Sequence, residues 1–195
     1  MDYDDSDRRN GPAGPAPAAV KFLIAGGFGV GKTTMVAAVS EVEPLRTEEY
    51  LTVASVGVDD VAGVAEKDTT TVAMDFGRIT VSPELVVYLF GTPGQERFWF
   101  MWDDLVLGAL GAVVIADTRR LQTSFGSIDF FESRGIPFVV GVNSFDGYQD
   151  RTVAEIREAL DLDPRVPILM GDLRQRAVSR DVLLTLVDHL MDGRE

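Results

Sequence analysis

One run of eight residues restricts most of what this chain can be: Gly26-Gly27-Phe28-Gly29-Val30-Gly31-Lys32-Thr33 fits the pattern G-x-x-x-x-G-K-[ST]. Successive backbone N–H groups in such a loop, together with the N-terminus of a following helix, present partial positive charge to an anion. Lys32 can reach the β- and γ-phosphates of a nucleotide, and the Thr33 hydroxyl can ligate Mg²⁺. The sequence therefore predicts a phosphate-binding loop.

The residues on both sides of this loop occur in the order that it requires. An apolar run over residues 20–25 precedes the glycines, and helix-compatible residues 34–39 follow them, which predicts a strand, a loop and a helix. We expect nucleotide contacts from the whole loop: Gly26, Gly27, Phe28, Gly29, Val30, Gly31, Lys32, Thr33 and Thr34.

Composition limits the classes of partner and compartment. The chain has 195 residues, 46% of them hydrophobic, which suits one domain with a substantial core. Its net charge of -13 repels nucleic acid and anionic membrane surfaces. There is no cysteine to form a disulfide, a thiolate metal site or a lipid anchor. With no signal-peptide pattern or membrane-spanning apolar run, we expect a cytoplasmic protein.

The pattern of apolar runs predicts the domain organisation. Residues 1–19 are rich in Asp and then in Gly, Pro and Ala, so we expect a disordered tail, with a single domain over residues 20–195. Several runs are apolar at consecutive positions, which is typical of strands buried on both faces of a mostly parallel sheet. We predict an α/β fold with six strands, at residues 22–25, 78–81, 85–90, 111–116, 137–142 and 166–170.

Helical patterns lie between these runs. We predict helices at residues 33–40, 99–110, 127–134, 153–160 and 181–191, the last with Asp181 as its N-cap. Residues 41–68 show no sustained periodicity, and so long a segment without structure is usually functional. The aromatic run over residues 98–102 cannot point inward throughout from one helix, so part of it is expected to face a partner.

Two further clusters follow predicted strands. The first is GTPGQERF, residues 91–98, and the second is NSFD, residues 143–146. A carboxylate at Asp146 can accept hydrogen bonds from the ring N–H and the exocyclic amine of guanine, whereas adenine would present an acceptor to it. The N-x-x-D pattern therefore favours GTP over ATP.

Taken together, these motifs resemble those of the Ras-like small GTPases over residues 20–192. The resemblance is closer to bacterial MglA-like proteins. Within that group, GGFGVGKTT, TTTVAMDFGRI and LFGTPGQERFWFMW are similar to the GTPase component of actinobacterial conservons. This implies a P-loop G domain that binds GTP or GDP with Mg²⁺. It also implies a Roadblock/LC7-type partner and a sensor-kinase-like protein, which would recruit the chain to the membrane indirectly.

The resemblance also implies residue roles. Lys32, Gly94 and Gln95 would be catalytic, with the Gly94 N–H on the γ-phosphate and Gln95 orienting the attacking water. Thr33 and Thr71 would hold Mg²⁺, with Thr70 as an alternative to Thr71. The base would be contacted by Asn143, Asp146 and the backbone N–H of Leu173.

The chain departs from the Ras-like pattern at three points. Gly91 stands where Ras-like proteins normally have an aspartate that polarises a water on Mg²⁺. MglA-like proteins also lack this aspartate, and Asp75 is a candidate substitute. Ser144 replaces the lysine whose aliphatic stem packs beside the base. An arginine finger would come from Arg46 or from another protein, and without one hydrolysis is expected to be slow. Two alternatives stay open: a binding module that does not hydrolyse nucleotide, and an ATP-using P-loop protein.

Overall fold

The computed structural model describes residues 16–43, 45–52, 69–145 and 151–193, and for residues 45–52, 69–73, 96 and 97 it describes the backbone only. Within these residues one sheet is built from seven strands in the order β2-β3-β4-β1-β5-β6-β7. Their bounds are β1 Ala18–Ala25, β2 Leu45–Thr52, β3 Thr69–Ser82, β4 Leu85–Gly91, β5 Ala109–Asp117, β6 Phe138–Asn143 and β7 Ile168–Gly171.

The predicted α/β class is confirmed, and all six predicted strands are present. Strands β4, β1, β5, β6 and β7 are parallel, whereas β2 and β3 pair antiparallel at one edge. The added strand is β2, which lies inside the segment expected to lack structure. Its sequence, LRTEEYLT, has too few apolar residues to show a strand pattern, and the ladder that it forms with β3 supplies its backbone hydrogen bonds. Residues 53–68 lie outside the described residues.

The first strand lies at the predicted domain boundary, which itself stays a prediction. Strand β1 begins at Ala18, two residues before the expected start of the folded part, because Ala18 pairs with Leu85 of β4. Residues 1–15 of the predicted tail lie outside the described residues.

Four α-helices lie between the described strands: α1 Lys32–Val39, α2 Trp102–Leu105, α3 Phe125–Ser133 and α4 Val153–Ala159. A fifth, α5 Arg176–Asp192, follows β7. The prediction of one helix over residues 99–110 was wrong. A 3-10 helix, Glu96–Met101, leads into the single turn of α2, and Gly108, with φ 74°, ends this segment before β5. The predicted cap at Asp181 was also wrong, because α5 begins five residues earlier and Gln175 precedes it.

The core has two layers, one on each face of the sheet, because successive side chains of a strand point to opposite faces. In β1, Leu23 and Ala25 pack with Trp102 and Phe131 on the face of α2, α3 and α4. Phe22 and Ile24 pack on the other face, beneath α1 and α5, with the buried residues Val30, Met35, Val36, Val182 and Leu186. Burial on both faces explains the unbroken apolar runs of β5 and β6.

This topology fixes the place of a ligand site. The chain leaves β1 through α1 on one face of the sheet and leaves β4 through α2 on the other face, and the crevice outside the carboxyl ends of such strands is where α/β sheets bind ligands. The glycine loop, the end of β4, the end of β5 and Asn143 all lie at this edge. Within the part of the chain that the structure describes, none of the helices combines the length and apolar character that crossing a membrane requires.

Candidate functional site

The glycine loop joins β1 directly to α1. Gly26, Gly29 and Gly31 have positive φ values of 133°, 74° and 109°. The requirement is clearest at Gly31, which caps the N-terminus of α1 in a left-handed conformation, and whose added Cβ would lie 2.7 Å from Asn143 Nδ2. The predicted strand, loop and helix are therefore observed, and the first N–H groups of α1 open towards the crevice as an anion site needs.

Lys32 is the first residue of α1, and its side chain reaches back into the glycine loop. Its Nζ donates to the carbonyl oxygens of Gly26 and Gly27, at 2.9 and 2.7 Å, and the residue is 9% exposed. Burial lowers the pKa of Lys32 to about 8, while the Asp75 carboxylate opposes that shift. A Cβ on Gly94 would lie 2.5 Å from Lys32 Nζ, so the loop after β4 lies against the lysine. The structure thus brings Lys32 and Gly94 together, and the catalytic roles predicted for them stay predictions.

A buried carboxylate faces the helix start. Thr33 Oγ1 donates to Asp75 Oδ2 at 2.7 Å, and Asp75 is 9% exposed. Since the hydroxyl proton of Thr33 is engaged by Asp75, the lone pairs of its oxygen stay available to a cation. A Cβ on Gly91 would lie 2.9 Å from Asp75 Cβ and 3.0 Å from its Oδ2. Asp75 therefore occupies the space that a side chain on Gly91 would need.

These groups line a cavity of about 480 Å³. Its walls are Phe28, Gly29, Gly31, Lys32, Thr33, Thr34, Asp75, Thr92, Pro93 and Gly94. Sequence reasoning missed Thr92, whose side chain is buried and whose Oγ1 has no hydrogen-bond partner among the described residues. Thr92 lies in the same GTPGQERF motif as Gly94 and Gln95, and this position could have identified it.

Asn143 connects three parts of the site. Its Nδ2 donates to the Val30 carbonyl at 3.0 Å, and its Oδ1 accepts from the Leu173 N–H at 3.2 Å. The Leu173 N–H is therefore engaged by Asn143, and the base contact predicted for it stays a prediction. The neighbouring Ser144 Oγ is buried without a partner among the described residues, and Asp146 lies outside them.

A charged cluster at the end of β5 was missed by sequence reasoning. The Asp117 side chain is fully buried and pairs with Arg119 at 2.8 Å, and Arg120 Nη2 lies 3.5 Å from the same carboxylate. Hydrogen bonds from Arg119 are the main cause that holds the pKa of Asp117 below its usual range. Arg119 also stacks on the Phe145 ring at 4.0 Å. The signal was the run DTRR immediately after an apolar strand.

The remaining predicted residues are located only in part. Gln95 immediately precedes the 3-10 helix and is half-buried. Thr70 and Thr71 lie in β3, where the backbone alone is described, and Thr71 is paired with Tyr50. Arg46 lies opposite Asp75 in the ladder between β2 and β3. Their predicted roles stay predictions.

The fold and site define a class: an α/β P-loop domain whose phosphate-binding loop and buried lysine lie at the carboxyl ends of parallel strands. The chain belongs to the family described as conserved hypothetical ATP binding proteins, whose model matches residues 24–193. It is also 32% identical over 129 residues to the uncharacterized protein MJ1339 of Methanocaldococcus jannaschii, over 65% of this chain and 71% of that protein.

Solved structures show the same fold at low sequence identity. The cytosolic domain of the T. maritima FeoB iron transporter, in a GDP form, matches 91% of this chain with a TM-score of 0.64 and 16% identity. This chain spans 65% of the length of that domain. The FeoB G domain of Methanococcus jannaschii matches 89% of this chain and 98% of its own length, with a TM-score of 0.58 and 13% identity.

The buried amine predicts a pH dependence of stability that Lys32→Met removes. Because the pKa of Lys32 falls to about 8 from 10.5, the folded state holds fewer protons than the unfolded state between these values, and stability rises with pH there. The free energy of unfolding of the wild type minus that of the variant should therefore increase by up to about 3 kcal/mol from pH 8 to pH 10.5. Urea denaturation without nucleotide measures it.

Lys21→Met is the control for this experiment. Burial also lowers the pKa of Lys21, but this residue lies nearer to solvent, so the same difference should change less with pH. If the free-energy difference between the wild type and Lys32→Met does not depend on pH, the Lys32 amine does not have a lowered pKa in the folded state.

Proposed function

We propose that this protein is a small GTP-binding switch that hydrolyses GTP slowly. The observation that carries the proposal is the convergence of Lys32, the Thr33–Asp75 pair and Gly94 around one cavity at the carboxyl ends of β1 and β4. This arrangement places an amine, backbone N–H groups and two oxygen ligands where a nucleoside polyphosphate would lie.

Each residue around the cavity has its own role in the proposed binding and hydrolysis of GTP. Lys32 neutralises phosphate charge, and the N–H of Gly94 stabilises charge that builds on the terminal phosphate. Gln95, which follows at once, orients the attacking water. The Thr33 hydroxyl fits Mg²⁺, which is usually held by one or two protein oxygens together with phosphate and water. When bound, Mg²⁺ neutralises charge on the phosphate oxygens.

Asp75 takes the place of the aspartate that is missing at Gly91. It is buried, it accepts the Thr33 hydroxyl hydrogen bond, and it fills the space beside Gly91. A carboxylate supplied from β3 instead of β4 would therefore orient the Thr33 oxygen that is proposed to hold Mg²⁺. Thr71, which precedes Asp75 in β3, remains the proposed switch ligand.

Moving this carboxylate between strands tests the assignment. Asp75→Asn should weaken Mg²⁺-dependent nucleotide retention by about tenfold or more, because it removes the carboxylate that hydrogen-bonds to the proposed Mg²⁺ ligand Thr33. Gly91→Asp should destabilise the protein by about 1–3 kcal/mol, because its Cβ overlaps Asp75. The double variant Asp75→Gly with Gly91→Asp should recover most of both losses. Nucleotide dissociation rates against Mg²⁺ concentration and urea denaturation measure the effects.

Two outcomes would contradict the role proposed for Asp75. If Asp75→Asn leaves the Mg²⁺ dependence unchanged, or if the double variant is no better than the sum of Asp75→Gly and Gly91→Asp measured singly, Asp75 does not replace the missing aspartate.

The base preference rests on the N-x-x-D pattern and on Asn143, which holds the glycine loop to the segment after β7. The family description names ATP, so ATP is the second candidate. Competition of GTP and ATP against a fluorescent guanine nucleotide should favour GTP by about a hundredfold, and Asp146→Ala should remove most of that preference. Equal competition would contradict the proposal.

Hydrolysis is tested separately, because a binding module without turnover is the other alternative. In a single-turnover assay, the wild type should release phosphate slowly, and Gln95→Leu should slow release about tenfold or more while nucleotide affinity stays unchanged. No release by the wild type would favour the binding module. Equal rates in both proteins would show that Gln95 does not position the water.

The switch would act through the residues that follow Gln95. Phe98 and Trp102 are buried, whereas Trp99 and Phe100 are 36% and 64% exposed, which leaves apolar area beside the terminal-phosphate site. The conservon resemblance makes a Roadblock/LC7-type protein the proposed partner. The immobilised wild-type chain should retain such a protein when it is loaded with a non-hydrolysable GTP analogue, but not when it is loaded with GDP. The Phe100→Ser variant should not retain the protein in either state. Equal retention in both states would contradict a switch.

A further inference from the structure

The cluster at the end of β5 holds more positive charge than its carboxylate requires. Arg119 binds Asp117 through three groups: its backbone N–H at 3.0 Å, Nε at 2.9 Å and Nη2 at 2.8 Å. This bidentate ion pair, closed by a backbone hydrogen bond, satisfies both oxygens of the buried carboxylate. A second guanidinium is therefore not needed to stabilise Asp117.

Arg120 supplies that second guanidinium and faces the phosphate-binding loop. Its Nη2 lies 3.4 Å from the Phe28 carbonyl oxygen and 3.5 Å from Asp117 Oδ2, both at the limit of a hydrogen bond. Among the described residues other than Gly29 and its two chain neighbours, it is also the atom nearest to where a Cβ on Gly29 would be, at 3.6 Å. The side chain is 45% exposed. Its charge is therefore held beside the loop and is only weakly compensated.

The backbone explains why the two arginines, which share Asp117, have different additional partners. Arg120 has non-helical torsions, φ −149° and ψ 51°, inside the 3-10 segment Thr118–Ser124. Arg119, one residue earlier, stacks on Phe145 of the NSFD motif, whereas Arg120 reaches Phe28 of the loop. The pair thus spans the space between the strand end that carries Asn143 and the outer side of the glycine loop.

The NSFD motif itself contains no cation. Ser144 stands where the resembled GTPases have lysine, and its buried Oγ has no partner among the described residues. In a chain with a net charge of -13, a phosphate ligand meets an unfavourable mean field, so a fixed positive charge next to the loop has a large relative effect.

We propose that Arg120 is a nucleotide-binding residue whose guanidinium contacts the phosphate–ribose portion of the nucleotide beside Phe28 and Gly29, and so supplies the cation that Ser144 cannot. The inference rests on the proposed function only in requiring a nucleotide at the loop, since phosphate and ribose are common to guanine and adenine nucleotides. It assigns Arg120 to binding rather than to the hydrolysis step.

The test compares Arg120→Gln and Arg120→Lys with a control, Arg165→Gln, which removes one equal charge from the exposed Arg165–Asp163 pair. Dissociation constants for GDP and GTP are measured at low and at high salt, with single-turnover hydrolysis at saturating GTP. Arg120→Gln should weaken GDP and GTP alike by about tenfold at low salt, with a shallower salt dependence, because a half-exposed charge is screened. Arg120→Lys should recover most of this loss, and Arg165→Gln should bind as the wild type does.

Folding is checked by thermal denaturation without nucleotide, where Arg120→Gln should match the wild type because Arg119 satisfies Asp117. If Arg120→Gln binds GDP and GTP as tightly as the wild type, the inference is overturned. If its affinities are unchanged but it hydrolyses saturating GTP more slowly, Arg120 is instead an arginine finger in cis. If the Arg120→Gln chain melts at a lower temperature than the wild type and Arg120→Lys does not restore affinity, the residue is structural and the inference is overturned too.

The wild-type measurements separate this inference from the proposed function. If the wild type binds ATP in preference to GTP, the proposed function fails, and the same loss measured with ADP and ATP would still support Arg120. If the wild type binds no nucleotide, both fail.

Discussion

The hydrogen bond from Thr33 Oγ1 to Asp75 Oδ2 is the contact around which the phosphate side of the site is arranged. It joins the first turn of α1 to β3, which reaches the sheet centre only through β4. A buried carboxylate is stable there because a hydroxyl donates to it and the Lys32 amine attracts it. The absence of a side chain at Gly91 is the steric condition for this contact. Asp75 and Gly91 are therefore best considered one structural unit shared by two neighbouring strands.

The glycine loop is held from several sides by groups that belong to different elements. Lys32 binds its carbonyls from within, Asn143 holds Val30 from the end of β6, and Arg120 approaches Phe28 from the segment after β5. Each contact uses a loop carbonyl, so the loop N–H groups are left for an anion. A loop fixed in this way loses little conformational freedom when a ligand binds, which favours affinity. The charges around it also offset the negative field of the whole chain.

Much of the fold was predictable because its signals are local. Buried parallel strands such as β5 are apolar at every position, and the G-x-x-x-x-G-K-T pattern needs its own strand and helix. Strand β2 was not predictable from its composition, since its stability comes from pairing with β3. The start of α5 was misplaced because Asp181 has the chemistry of a cap, while the chain turns into the helix at Gln175.

The sequence by itself determined the α/β class, the phosphate-binding loop and the order of the motifs, because each depends on residues that are close along the chain. Tertiary structure alone decided that Asp75 faces Thr33 across 42 positions, that Asn143 fastens Val30, and that Arg120 stands over Phe28. These contacts arise where the carboxyl ends of separate strands meet at one edge of the sheet. Strand order and register determine which strand ends are neighbours, and the spacing of residues within a single motif predicts neither of them.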